Sequence, residues 1–177
     1  MKYKIKKLIY KLIGRNNEIM EINLEYYRSK GSKIGNNVRT FSPLVSAEPY
    51  LLEIGDDVTV SGNVKFITHD NSVSKFIDNK TDIFGKIKIG NKCFIGYGSI
   101  ILPGVEIGDN TIIGAGSVVT KSFKDGKMVI AGNPAKVITS TDDYKLKIED
   151  NTLNTRRMSF EEKKKLIIDN NDKIIKK

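Results

Sequence analysis

The sequence predicts an all-β solenoid with helical extensions at both ends, and two observations carry that prediction. From Ile89 onward an aliphatic residue returns at every sixth position, at Ile89, Ile95, Ile101, Ile107, Ile113 and Val119. The other positions of the hexad are patterned too. Glycine follows the aliphatic at Gly90, Gly96, Gly108 and Gly114, and four residues after each aliphatic comes a small or β-branched residue, at Cys93, Ser99, Val105, Thr111 and Ser117. A period of six matches neither the 3.6 of an α-helix nor the two-residue alternation of a long strand. It fits short strands turned by corners, each pointing one side chain into a shared interior. Glycine beside the inward residue gives room where a Cβ would crowd the backbone. Three hexads then make one triangular coil.

In chain order, residues 1–33 read as an N-terminal amphipathic helical arm. Ile5, Leu8, Ile9, Leu12 and Ile13 share one helical face, with Lys4, Lys6, Lys7 and Lys11 mostly elsewhere. Such a helix either caps the open end of the solenoid or makes a peripheral contact with anionic lipid. Its lysine-rich start is that of a signal peptide, but Lys11 interrupts the apolar stretch and no small-residue cleavage site follows, so export is not expected.

Residues 34–138 form the solenoid. Ile34-Gly35, Ile54-Gly55, Val60 and Phe66 carry a looser version of the repeat. Ile89 and Ile107 are one uninterrupted coil apart, whereas Ile54 and Ile89 are separated by that distance plus the length of residues 70–86. This segment, DNSVSKFIDNKTDIFGK, lacks the pattern and reads as a loop ejected from the solenoid directly after His69. A smaller excess between Ile34 and Ile54 reads as a bulge at Ser46–Leu51. Residues 139–177 read as a polar linker followed by a helix, opened by a capping box of Ser159 and Glu162 and presenting Leu166, Ile167, Ile174 and Ile175.

Composition narrows the function. The net charge of +9 is concentrated on the arm, where nine Lys/Arg face three acids, while residues 34–139 are nearly balanced. A nucleic-acid reader would carry its basic charge on the folded domain, interleaved with aromatics, so nucleic acid is not an expected partner. No apolar run approaches the ~20 residues of a membrane span. One cysteine, Cys93, permits no intramolecular disulfide and fits a reducing cytoplasm. Its hexad position marks it as core, not nucleophile.

The hexads, the His69-Asp70 pair before the ejected loop, and Ala131-Gly132-Asn133-Pro134-Ala135-Lys136 together resemble the hexapeptide-repeat acyltransferases. The resemblance, spanning about Ile34 to Ile138, is to the branch of galactoside, maltose and virginiamycin acetyltransferases and many polysaccharide-locus enzymes. It implies a left-handed parallel β-helix, an exception to the usual crossover hand. It implies a homotrimer with active sites between subunits, the ejected loop reaching to the neighbour, and acetyl-CoA lying along the groove as acyl donor, with no metal.

Acetyl transfer from a thioester to a hydroxyl needs a base, since an alcohol is scarcely ionised at neutral pH. His69 is the only histidine and suits that role. Asp70 is a candidate to orient its ring. By family matching Asn63 contacts the reacting groups, although an asparagine at a coil corner also explains it. The resemblance carries cofactor binding to Gly96, Tyr97, Ala115, Thr120, Lys121 and Lys136. Backbone groups at Gly96–Tyr97 and Gly114–Gly116 would meet the pantetheine, and Lys121 and Lys136 the phosphates. An N–H near Gly96 is the expected oxyanion donor. The expected reaction is O-acetylation of a saccharide in surface polysaccharide biosynthesis, in the cytoplasm or at the inner membrane face. An N-acetyltransferase on an amino-sugar nucleotide and a non-catalytic β-helix scaffold are the alternatives. A zinc enzyme of the γ-carbonic anhydrase type needs three histidines and is excluded.

Overall fold

The computed structural model describes residues 16–44 and 47–175. The chain divides into two compact units, Met1–Thr141 and Asp142–Lys177. In the first, short strands, most of two or three residues, stack into three faces of a prism, parallel except for the last strand.

Face A joins Lys33–Ile34, Leu52–Ile54, Ile87–Ile89 and Glu106–Ile107. Face B joins Arg39–Thr40, Thr59–Val60, Phe94–Ile95, Ile112–Ile113 and Met128–Gly132, with Ala135–Ser140 added antiparallel at the end. Face C joins Lys65–Phe66, Ile100–Ile101 and Val118–Val119. The register makes each hexad aliphatic a rung in a column: Ile34, Ile54, Ile89 and Ile107 on face A; Val60, Ile95, Ile113 and Ile130 on face B; Phe66, Ile101 and Val119 on face C. Together with Leu24, Leu44 and Leu52 they form one core. The hexad residues Cys93, Ser99, Val105, Thr111 and Ser117 are all buried, as expected. The Ser99 and Ser117 hydroxyls donate to the Gly114 carbonyl, and that of Thr111 to Gly108, so burial leaves no hydroxyl unsatisfied. Cys93 is a free, buried thiol whose pKa burial pushes upward, which fits a packing role.

The repeat glycines are required for a reason other than a bend. Gly108 does not adopt a left-handed backbone; instead, a Cβ there would stand 2.2 Å from the Lys124 carbonyl oxygen of the next coil. The left-handed corners fall mostly to other residues, among them Asn37, Asp57, Asn63 and Asn110.

The helix expected over residues 5–13 lies outside the described residues. Within the arm, a helix α1 (Asn16–Ser29) buries Ile22 and Leu24, and the Arg28 guanidinium donates to the carbonyls of Ile34 (3.0 Å) and Gly35 (2.8 Å) on the first coil. Helix α1 thus packs against the first coil of the solenoid. The small bulge is a 3₁₀ turn at Pro49–Leu51, and Ser46 lies outside the described residues. The linker expected from residue 139 is shorter than read. The last strand runs to Ser140, its turn holds the cis Asn133–Pro134 bond, and a helix α2 (Thr141–Ile148) follows at once. In the second unit, helix α3 (Phe160–Asp169) opens with the anticipated capping box: Ser159 N–H donates to Glu162 Oε2 at 2.7 Å and Glu162 N–H to Ser159 Oγ at 3.3 Å.

No helix among the described residues is long and apolar enough to cross a membrane.

Candidate active site

The two departures from the repeat fall at the same corner of the prism, where face C gives way to face A. One is the turn ahead of Leu52–Ile54, which carries Glu48; the other is the ejected loop ahead of Ile87–Ile89, which begins at His69. Because these coils are consecutive, the irregularities stack. His69 Nδ1 lies 2.9 Å from Glu48 Oε2, and the same oxygen accepts from Thr68 Oγ1 at 2.6 Å.

The Glu48 carboxylate sets the hydrogen-bond pattern at the ring. The Thr68 hydroxyl first, and then the His69 ring, hold the Glu48 carboxyl below the usual carboxylate range. An ionised carboxylate only accepts, so the Nδ1 facing it carries the proton, an assignment that rests on the partner's chemistry. In the neutral ring this leaves Nε2 with its lone pair, the form a general base needs. The His69 side chain is 39% exposed, enough to meet a reactant, whereas Glu48 is 14% exposed.

The ejected segment is a hairpin. His69–Asp70 pairs antiparallel with Ile83–Phe84, and a 3₁₀ turn at Ser72–Lys75 lies between. Strand alternation sends Asp70 to the face opposite His69. Its carboxylate accepts from the Ser72 N–H at 2.7 Å instead, which lowers its pKa. The carboxylate that meets the His69 ring is therefore Glu48, while Asp70 is engaged by Ser72. Sequence reasoning missed Glu48 because it stands 21 residues before His69 and outside the hexads.

Asn63 is not beside His69 within one chain. It sits at the corner entering face C with φ 58°, and its side-chain amide donates to the Tyr97 hydroxyl. Ala115 follows on the next coil, where the Gly116 N–H donates to the Tyr97 carbonyl at 2.8 Å. Thr120 and Lys121 lie at the other edge of face C, directly after Val118–Val119 and in the column that continues Thr68. Apart from Lys136, the sequence-selected residues thus fall at the two long edges of one face. Asn63 precedes and His69 follows the strand Lys65–Phe66. Lys136 is exposed on the terminal antiparallel strand, opposite Ala131, and Lys121 Nζ lies 5.6 Å from the centre of the Phe123 ring.

The Gly96 N–H donates to the Ile113 carbonyl at 2.8 Å, and the Gly114 N–H to Ile130 at 2.8 Å. Coil stacking thus engages the N–H groups of these two glycines. Among the described residues there is no cluster of three His, Cys, Asp or Glu able to hold a metal.

The outer sides of the faces differ in character. Face A carries Lys33, Glu53, Lys88 and Glu106 on successive rungs, with Lys33 and Lys86 within 3.1 Å of Glu53 and Lys124 at 3.1 Å from Glu106. A shallow concavity of about 430 Å³ over this strip does not include His69. Face C turns Ile100 and Val118 outward, and face B turns Phe94 and Ile112 outward; all four are part-exposed apolar side chains.

A pH effect follows from the Glu48 geometry. A carboxyl whose folded pKa is depressed stabilises the fold above its unfolded pKa, and that contribution is lost as pH falls through the folded value. Glu53, Glu106 and Asp109 are lowered in the same direction by Lys33, by Lys124 and by the Asn91 N–H. Stability should decline below about pH 5. In Glu48→Gln, thermal melts across pH 3–7 (roughly the carboxylate range) should show a shallower decline, because one of the depressed groups is gone. An unchanged slope would mean that Glu48 is not held in its ionised form.

Residues 86–121 match the family model described as bacterial transferase hexapeptide (six repeats). The chain is 43% identical over 106 residues to protein CapG of Staphylococcus aureus, a match covering 57% of this chain and 59% of CapG, so the chain spans less than two thirds of that relative. Among solved structures it is similar to a maltose O-acetyltransferase from Clostridium difficile 630, with 29% identity and a TM-score of 0.52 over 68% of this chain and 75% of that one. It is also similar to a galactoside acetyltransferase in complex with coenzyme A, with 32% identity and a TM-score of 0.54 over 71% and 62% of the two chains. The likeness to the hexapeptide-repeat acyltransferases read from the sequence is shown by the family model together with these solved structures.

Proposed function

We propose, with that likeness as premise, that the protein is an acetyltransferase on a left-handed parallel β-helix, moving acetyl from acetyl-CoA to a saccharide hydroxyl with His69 as general base. The observation that carries the reading is the His69 ring, held at Nδ1 by an ionised Glu48 and presented at the root of an ejected hairpin. In the reaction the acceptor oxygen attacks the thioester carbonyl while Nε2 takes its proton. The carbon–sulfur bond then breaks, and the proton passes to the departing sulfur, giving the ester and free coenzyme A. Glu48 stabilises the imidazolium formed between these steps.

The division of candidate residues between two edges of face C supports active sites between subunits of a homotrimer. In that arrangement Asn63, Tyr97 and Ala115 of one protomer would meet His69 of the next, and Thr120, Lys121 and Lys136 are the candidates for the coenzyme's polar groups. The later rungs of faces B and C, with Phe94, Ile112, Ile100 and Val118 outward, suit burial against neighbours, while the Lys/Glu strip of face A suits water. Consumption of acetyl-CoA fits a cytoplasmic enzyme.

The test is release of free thiol from acetyl-CoA by the purified protein, with neutral sugars, sugar nucleotides and amino-sugar nucleotides offered side by side. Thiol release dependent on a hydroxyl acceptor is the expected result. Turnover confined to amino acceptors would make the protein an N-acetyltransferase. Silence across the panel together with no affinity for coenzyme A would leave a scaffold.

A further inference from the structure

We infer that Phe84 is the stacking platform of the acceptor subsite, the surface on which a pyranose lays its C–H face while one of its hydroxyls meets His69. The inference rests on the acetyltransferase reading above and adds to it how the acceptor is held.

Three observations carry it. Phe84 is the register partner of His69 across the antiparallel hairpin, and directly opposed residues project to the same side. The two rings are 6.1 Å apart between centroids and inclined at 47°, so they are neighbours but not stacked in parallel. Phe84 is also 60% exposed. The hairpin carries other exposed apolar residues, notably Phe76 at 72% and Ile83 at 51%. Ile83 pairs with Asp70 and so projects to the opposite side. Phe84 is the aromatic residue that shares a face with the base.

The chemistry of a sugar fits this pair. A pyranose is polar at its rim, but several of its ring C–H bonds gather on one side into a weakly electropositive apolar patch. The face of a phenyl ring is electronegative and apolar and attracts such a patch. Small-molecule sites commonly join an apolar or aromatic wall to a few placed polar groups, and here the wall is Phe84 and the polar group His69. Because both rings sit on one two-stranded hairpin, whatever moves the loop moves platform and base together, which keeps a bound hydroxyl in reach of the imidazole.

The experiment compares wild type, Phe84→Ala, Phe84→Trp and, as a control on the same loop, Phe76→Ala. Each is assayed with the best pyranoside acceptor and with glycerol, a flexible alcohol that has hydroxyls but no ring face. The expected result for Phe84→Ala is a rise of about tenfold or more in KM for the pyranoside, with a much smaller change for glycerol. Phe84→Trp should recover most of the loss, and Phe76→Ala should behave as wild type. Unchanged pyranoside KM in Phe84→Ala overturns the inference, as does an equal loss with both acceptors. So does a concentration-dependent change in assembly size, which would make Phe84 a contact between copies of this chain. A wild type that transfers acetyl while Phe84→Ala matches it removes the platform alone, whereas a wild type inert toward every acceptor removes the parent reading as well.

Discussion

Replacing His69 by alanine should lower acetyl transfer about 10²- to 10⁴-fold, the range a positioned general acid–base supplies, while leaving the fold and coenzyme A affinity close to wild type. The second half of that expectation comes from where the residue sits. His69 belongs to no column of the core; it begins a hairpin outside the prism, and its side chain is more than a third exposed. Glu48 would lose one partner but keep the Thr68 hydroxyl at 2.6 Å, so no isolated buried charge is created. The measurement is thiol release at saturating acetyl-CoA, with thermal melts and coenzyme A titration alongside. A variant that turned over at the wild-type rate would remove His69 from the chemistry. One that lost coenzyme A binding and thermal stability together would assign it a structural part instead.

The prism was legible because its cause is periodic. A side chain that must enter a shared interior once per strand repeats at the strand's own interval, and Ile89 through Val119 therefore announce their columns without reference to any distant residue. The ejected loop was legible for the converse reason, since residues 70–86 shift the phase by a measurable amount. The site was only half legible. His69 stood out as the one group suited to the chemistry, but its carboxylate partner is fixed by stacking across coils. Asp70 is adjacent in sequence, yet strand alternation turns it away, and Glu48 comes from the preceding coil. The signal that could have found Glu48 was present: the bulge before Ile54 and the loop before Ile89 interrupt the same corner of successive coils, so their residues must meet. Gly96 shows the opposite limit. The resemblance puts an oxyanion donor in its neighbourhood, and the repeat commits the glycine's own N–H to Ile113.

The phase of the repeat can be tested where two identical residues are neighbours. Ile112 and Ile113 share one two-residue strand, but Ile113 is fully buried between Ile95 and Ile130 in the face B column, while Ile112 is only half-buried on the outer side. Truncating Ile113 to alanine removes methyl and methylene groups from a core whose backbone cannot collapse inward, because each coil is bonded to the next; the Gly114 N–H, one residue on, already donates to Ile130 at 2.8 Å. The loss should be about 2–5 kcal/mol, the range for large-to-small changes at buried aliphatics. Ile112→Ala leaves no internal cavity and should cost about 1 kcal/mol or less in the isolated subunit. If face B is covered by a neighbouring subunit, the Ile112 variant should also weaken assembly, visible as a shift toward smaller species on dilution. Urea unfolding of both variants followed by circular dichroism, with light scattering for size, separates these effects. Equal costs at the two positions would mean that the alternation of inward and outward residues does not hold on this strand, and with it would fall the three-column core on which the corner bearing His69 is built.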